Sequence, residues 1–299
     1  MARPKVIIFG AAGFVGRNLS EHLAKAYQVV EADEIESTSL CGNEYVRVDI
    51  TDQEGVLNVV SGADYVVHLA AHALGPSMMD PVTNAKVNII GTLNILEAAR
   101  RHKVKKVIFT SASSVIGETT ISPVPEHALA RPKTPYGVAK LACENYLRVY
   151  GELWNLDYVT FRFFNVYGPH QRNGLIPSLY ARISQGKPVE ITGDGKQMRD
   201  FIYVKDSLKF FERAIADDHI SRILLNMGTG KGTTIIEIAD IMFKILGKPR
   251  AIQHLPARKG EISNFVADTE KLRQVFGFVP ETPVEIGVAE SIAWLQKNA

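Results

Sequence analysis

An apolar run, Val6-Ile7-Ile8-Phe9, stops at Gly10-Ala11-Ala12-Gly13-Phe14-Val15-Gly16, and a helical pattern begins at once. Strand, glycine turn and helix in immediate succession restrict the fold more than any other feature of the chain. Glycines at such a junction allow a tight turn. They also let an anion approach backbone N–H groups at a helix N-terminus, where the dipole favours negative charge. A glycine triplet alone is common in turns, but the flanking strand and helix and an acid ending the next strand pattern point to a dinucleotide site. That acid is Asp33. Its carboxylate can accept hydrogen bonds from an adenosine ribose and repels a 2′-phosphate, so NAD is expected over NADP. Arg17 keeps NADP open, and Glu31 and Glu34 make a solvated acidic loop the plain alternative.

Runs rich in β-branched residues at 6–9, 29–32, 45–48, 65–69, 107–110 and 158–163 alternate with helical periodicity at 14–26, 53–60, 83–103 and 135–153. This alternation predicts an α/β fold, a Rossmann-type doubly wound parallel sheet with helices on both faces. Beyond Gly168 the chain is broken by Gly and Pro, and Gly193-Asp194-Gly195 reads as a turn joining strands at 189–192 and 201–204. Residues 223–226 read as a strand returning to the main sheet, and 235–246 and 284–296 as helices. The expected organisation is a dinucleotide-binding domain of residues 1–165, plus returning segments near 200–230. A smaller C-terminal α/β substrate-binding domain covers about 166–199 and 231–299.

Charge and cysteine content exclude other classes. With 34 Lys and Arg against 32 Asp and Glu, the net charge of +2 gives no nucleic-acid footprint. Cys41 and Cys143 are too few for a disulfide scaffold or a thiolate metal site and suit a reducing cytoplasm. His68 and His72 lack metal-ligand partners at useful spacing, so no metal is expected. The apolar run at 6–9 is too short for a signal peptide, and no stretch is long enough for a membrane helix.

Tyr136 and Lys140 stand four residues apart, on one face of the predicted helix at 135–153. An isolated phenol is a poor base at neutral pH. A neighbouring ammonium, and the positive nicotinamide ring of an oxidised cofactor, would stabilise phenolate and lower its pKa. Helices also place Tyr and Lys at this spacing for no chemical reason, so the pair gains meaning from the glycine motif upstream.

The glycine spacing is one landmark of several. With it come His68-Leu69-Ala70-Ala71, the stretch from Asp80-Pro81 through Asn88 to Gly91-Thr92, Phe163-Phe164-Asn165-Val166-Tyr167-Gly168-Pro169, Gly193-Asp194-Gly195, and Arg199-Asp200-Phe201-Ile202-Tyr203-Val204. In these the chain resembles the extended short-chain dehydrogenase/reductases that modify nucleotide sugars, and in particular their UDP-glucose 4-epimerase-like members. The resemblance implies NAD held by Gly10, Gly13, Phe14, Val15, Gly16 and Asp33, with Asp49 and Ile50 at the adenine. It places Leu69, Ala70 and Ala71 along the cofactor and Asn88 on its backbone, with Ser111, Tyr136, Lys140 and Phe163 completing the set. An acid such as Asp49 at a strand end is, read by itself, a cap or turn residue.

By the same resemblance Tyr136 and Lys140 are catalytic, and a Ser or Thr should stand five residues before Gly117. That position is Ala112, and the tyrosine usual before the glycine is Ile116. Ser111 and Ser113 are the candidate substitutes, although neighbours on a strand point to opposite faces. Dehydrating members carry an Asp-Glu pair where Ser113 and Ser114 stand, decarboxylating members keep an acid near Ser114, and fucose-synthase types place a cysteine there. With none of these present, the resemblance leaves hydride chemistry alone. The expected activity is NAD-dependent epimerisation of a nucleotide-diphosphate sugar at C4. A 4-ketosugar reductase and an inactive NAD-binding scaffold are the alternatives. Ser113, Asn165, Arg199 and Arg258 match substrate positions, the arginines suiting a diphosphate by their planar, permanently charged forks. Phe265 matches a position that gates sugar size, implying a hexose without an N-acetyl group; ordinary core burial would equally call for a phenylalanine. A homodimer formed through paired helices is expected as well.

Overall fold

Val, Ile and Phe at successive positions suit strands buried on both faces, and these runs build the central sheet. The computed structural model describes residues 3–36, 41–257 and 263–298. The first half runs β1 (Lys5–Phe9), α1 (Phe14–Leu23), β2 (Gln28–Asp33), β3 (Glu44–Arg47), α2 (Gln53–Val60), β4 (Tyr65–His68), the short helices α3 (Leu74–Ser77) and α4 (Pro81–Ala85), α5 (Gly91–Arg101), β5 (Lys106–Ala112), α6 (Pro135–Trp154) and β6 (Tyr158–Phe163). Then come β7 (Asn165–Tyr167), α7 (Leu175–Ser184), β8 (Val189–Thr192), β9 (Met198–Tyr203), α8 (Val204–Ala216), β10 (Ile223–Met227), β11 (Gly232–Thr234), α9 (Ile235–Leu246), β12 (Ile252–Leu255), β13 (Asn264–Phe265), α10 (Glu270–Phe276) and α11 (Val284–Lys297).

The central sheet has seven strands in the order β10-β6-β5-β4-β1-β2-β3. The pairings from β3 through to β6 are all parallel. The order turns back at β1, between β2 and β4, so the C-terminal ends of these strands open a crevice of the kind that binds dinucleotides in doubly wound sheets. Ile7, Phe9, Val66, Val107 and Phe109 are buried beneath helical residues such as Ile95, Leu96 and Leu147. Among the described residues no helix is long and apolar enough to cross a membrane.

The helix expected at 83–103 is instead three segments. Between α4 and α5 lies a π-helical turn, Lys86–Ile90. Within it the Asn88 carbonyl accepts hydrogen bonds from the Thr92 hydroxyl at 2.6 Å and from the Cys143 thiol of α6 at 3.0 Å. Side chains thus take up a carbonyl that a regular α-helix would pair, and such bulges recur at functional sites. The turn at Gly193-Asp194-Gly195 does not close a hairpin. β8 pairs in parallel with β12, whereas β9 pairs with β7, β11 and β13. Gly193 and Gly195 both adopt positive φ, and they turn the chain out of one sheet into another.

Contacts divide the chain into two units. The first comprises Met1–Gly117, Leu129–Phe163 and Leu208–Leu225; the second comprises Glu118–Ala128, Phe164–Ser207 and Asn226–Ala299. The segment 118–128, which falls inside the dinucleotide domain by sequence, belongs with the second unit. There the Val124 amide donates to the Val266 carbonyl, and the Asp268 amide to the Val124 carbonyl.

Candidate cofactor and catalytic site

Gly10 has a φ of +84°, and a Cβ there would lie 2.5 Å from the Ala70 nitrogen. Backbone conformation and close approach both exclude a side chain. A Cβ on Gly16 would strike the Gly10 carbonyl oxygen, so α1 packs directly on the turn. The result is a cavity of about 540 Å³ that gathers Gly10, Gly13, Asp33, Asp49, Ile50, Leu69, Ala70 and Ala71, with Ala12, His72 and Thr83. Gly13 caps α1, Phe14 and Val15 open the helix, and Gly16 is buried within its first turn.

The Asp33 carboxylate is fixed on the wall of this cavity. Its Oδ2 accepts the Ala12 amide at 2.9 Å, and its Oδ1 accepts the amides of Glu34 and Ile35. The Arg17 Nε donates to the Ala12 carbonyl at 3.1 Å. Asp49 is both turn and wall: its Oδ1 accepts the Thr51 amide at 2.8 Å. Asn88 is not on the cavity wall. Its buried amide side chain accepts from the His72 N–H and donates to the His72 carbonyl, which fastens the loop after β4. Backbone that only glycine can supply, a helix N-terminus and a carboxylate at the end of β2 together fit NAD.

The reactive residues belong to the same unit. Thr134 caps α6 by accepting the Gly137 amide, and Pro135 occupies the first helical position. Lys140 Nζ donates to the Thr110 carbonyl at 2.8 Å and lies 4.6 Å from the Phe109 ring centroid and 5.7 Å from that of Tyr136. Burial brings the Lys140 pKa down to about 8, opposed by Cys143 and Glu144. Burial also pushes the Tyr136 phenol up to about 12. In the protein itself, then, the phenol is not lowered as the Tyr-Lys spacing suggested. Desolvation dominates, with Cys143 adding to it, and the lowering is left to the cofactor's positive charge.

Ala112 ends β5, opposite Phe163 in register. Ser113–Val115 form a 3₁₀ turn against the start of α6, where a Cβ on Gly137 would lie 2.6 Å from the Ser114 carbonyl oxygen. Ser111 is not available as a substitute hydroxyl, because it donates to the buried Glu144 carboxylate at 2.6 Å. Among the described residues the Ser114 hydroxyl is buried without a hydrogen-bond partner. Ile116 is buried, its main chain bonded to Ser113 and Arg131. Phe163 stacks on Phe211 with ring centroids 6.1 Å apart.

The remaining predicted residues lie in the second unit. Asn165 on β7 donates from Nδ2 to the Asp200 carbonyl at 3.2 Å. Arg199 on β9 is opposite Thr233 and Phe265 in register, and one guanidinium nitrogen donates to the Met198 carbonyl. Phe265 is 8% exposed and its ring lies 5.3 Å from that of Phe164, so much of it is engaged in packing. Arg258 lies outside the described residues.

Several important residues escaped the sequence reading. Thr110 receives Lys140 through its backbone, which no side-chain motif reveals. Asp200 is buried and accepts from the Thr229 amide and hydroxyl and the amides of Gly230 and Ala267. Burial raises its pKa against those donors. Glu144, four residues beyond Lys140, was discoverable by extending the Tyr136–Lys140 spacing one more turn.

The profile of the NAD dependent epimerase/dehydratase family matches residues 6–228. The UDP-glucose 4-epimerase of Mycolicibacterium smegmatis is 31% identical, covering 99% of each chain. The crystal structure of UDP-glucose 4-epimerase with UDP-glucose from Thermotoga maritima superposes with a TM-score of 0.92 at 30% identity, covering 98% of this chain and 99% of that one. The UDP-glucose 4-epimerase of Thermus thermophilus in complex with NAD gives a TM-score of 0.87, also at 30% identity, covering 99% and 100%.

Proposed function

The chain belongs to the NAD dependent epimerase/dehydratase family, and from that premise we propose that it interconverts nucleotide-diphosphate sugars by inverting C4. It is an NAD-dependent epimerase, with UDP-galactose and UDP-glucose as the proposed pair. What carries this reading is the turn packed on the start of α6. Ser113 and Ser114 bring hydroxyls and no carboxylate to the place where dehydrating relatives, by the resemblance, need an acid pair.

Bound NAD supplies reversible hydride exchange and a positive charge that favours phenolate. Tyr136 takes the proton from the sugar 4-OH as C4 is oxidised and returns it when C4 is reduced. Lys140, its ammonium held by the Thr110 carbonyl, stabilises the phenolate and keeps a donor for the ribose. Asn165, Arg199 and Arg258 are proposed to hold the diphosphate. The proposed domains follow those expected from sequence, with NAD on residues 1–165 and the returning segments and sugar nucleotide on the remainder, except that residues 118–128 go with the sugar-nucleotide part.

We also infer a cytoplasmic homodimer. Met79 and Val82 are 88% and 78% exposed, and Ile90, Val138 and Tyr146 are exposed as well. Met79 follows α3, Val82 lies on α4, Ile90 ends the π turn, and Val138 and Tyr146 lie on α6; together they offer an apolar surface of the kind that a second copy covers. Incubation with a panel of nucleotide sugars and no added reductant tests the activity. An equilibrium mixture of C4 epimers supports it; a need for stoichiometric NADH would assign a ketoreductase, and bound NAD without turnover a scaffold.

A further inference from the structure

We propose that Glu144 is a positioning residue for Lys140: pinned by Ser111 and Arg162, it fixes the ammonium at the end of β5 and keeps a negative charge one helical turn away. The proposal rests on the epimerase reading above. Tyr136, Lys140 and Glu144 follow one another at intervals of four and so share a face of α6. Glu144 Oε1 accepts the Ser111 hydroxyl at 2.6 Å and the Arg162 Nε at 3.0 Å, while Oε2 accepts a terminal Arg162 nitrogen at 2.7 Å. The Arg162 and Glu144 side chains are only 5% and 6% exposed.

Ser111 and Arg162 are partners in register on β5 and β6, so one carboxylate from α6 clamps two strands. Ser111 also follows Thr110, the residue whose carbonyl accepts Lys140. Two attachments result, one residue apart on the strand and four residues apart on the helix. A single attachment would let α6 rotate or slide over β5; two fix both movements.

A buried ion pair is a costly way to hold a helix, since apolar side chains of similar volume pack as well or better. The charge has a use if it acts on a neighbour. Around Lys140 stand Tyr136, Cys143 and Glu144 on α6 and His68 on β4, while Arg162 of β6 is bound to Glu144. Burial raises the Cys143 thiol and holds His68 well below its usual range, so both are neutral. Glu144 is then the anion that helps Lys140 keep its proton against burial.

The test compares the purified NAD-loaded enzyme with the double variant Glu144→Gln/Arg162→Met, which strands no charge. The expected result is a fall in kcat of about tenfold with KM for the sugar nucleotide unchanged, the signature of a transition-state effect. The alkaline limb of kcat should move to lower pH, because Lys140 loses its proton sooner. Near-ultraviolet titration of the Tyr136 phenol, with Tyr136→Phe subtracted, should move to higher pH. A folded double variant with wild-type kcat, limb and phenol titration overturns the proposal.

Ser111→Ala removes one oxygen and keeps both charges, so it decides the question should the double variant not fold. A several-fold fall in kcat at constant KM supports the pinning, and an unchanged kcat overturns it. Wild-type protein that turns over no sugar refutes the epimerase reading instead, and the phenol titration still reads the effect of Glu144.

Discussion

The Lys140 ammonium donates a 2.8 Å hydrogen bond to the Thr110 carbonyl, joining the helix that carries the reactive phenol to the strand that ends at Ala112. Through that bond the sheet determines where the charge beside Tyr136 stands. Burial loosens the Lys140 proton, and the bond to the Thr110 carbonyl holds the ammonium in place against that cost.

Replacing Tyr136 by Phe removes the proposed base and leaves the cavity around Gly10 and Asp33 intact. Turnover should fall by about 10²–10⁴-fold, the usual contribution of a positioned acid–base group, while NAD still binds. Activity above about a tenth of wild type would remove Tyr136 from this role.

Burial brings the Lys140 pKa down to about 8 in the folded chain, against 10.5 for a free lysine. Between those values the unfolded chain binds the extra proton, so stability rises with pH through the window. The burial cost is present in full below pH 8 and vanishes above 10.5. Lys140→Met removes this dependence. In urea titrations it should be more stable than wild type by up to about 3 kcal/mol near neutral pH, with the difference closing in alkali. A difference independent of pH would contradict the shifted lysine.

Asp33 faces the cavity with both oxygens fixed by backbone amides. Asp33→Ser deletes the charge and most of the hydrogen-bonding reach. NAD affinity measured by calorimetry should drop about tenfold or more, and NADP should gain relative to NAD. Unchanged discrimination would place the ribose elsewhere.

Ala112→Ser restores a hydroxyl at the end of β5. One preorganised donor is worth about 10²–10³ in rate, so kcat should rise markedly, by up to about 10²-fold. No gain would show that another group, such as the unpartnered Ser114 hydroxyl, already supplies the bond.

Val82→Glu combined with Val138→Glu places carboxylates in the exposed apolar surface of α4 and α6. Sedimentation should change from dimer to monomer. A dimer that survives both charges would place the interface on another face.

Much of the fold was legible because buried parallel strands write continuous Val, Ile and Phe runs, as at Val6–Phe9 and Tyr158–Phe163. Partners distant in sequence were not. Val189 and Ile191 read as one arm of a hairpin, yet their strand pairs with β12, and periodicity carries no information about pairing. The helix pattern across residues 83–103 hid a π turn, because the hydroxyl and thiol that take the Asn88 carbonyl leave the apolar spacing unchanged. At the site, the glycine turn and Asp33 were readable from local geometry. The engagement of Ser111 with Glu144 depends on contacts between strand and helix that only the fold creates.

The most direct measurement uses UDP-galactose deuterated at C4, incubated with the purified protein without added reductant. If C4 is oxidised and reduced within one site, with Tyr136 moving only the oxygen-bound proton, the UDP-glucose formed keeps its deuterium at C4. Loss of that deuterium to solvent, or no epimer at all from protein that retains NAD, would contradict epimerisation by internal hydride return.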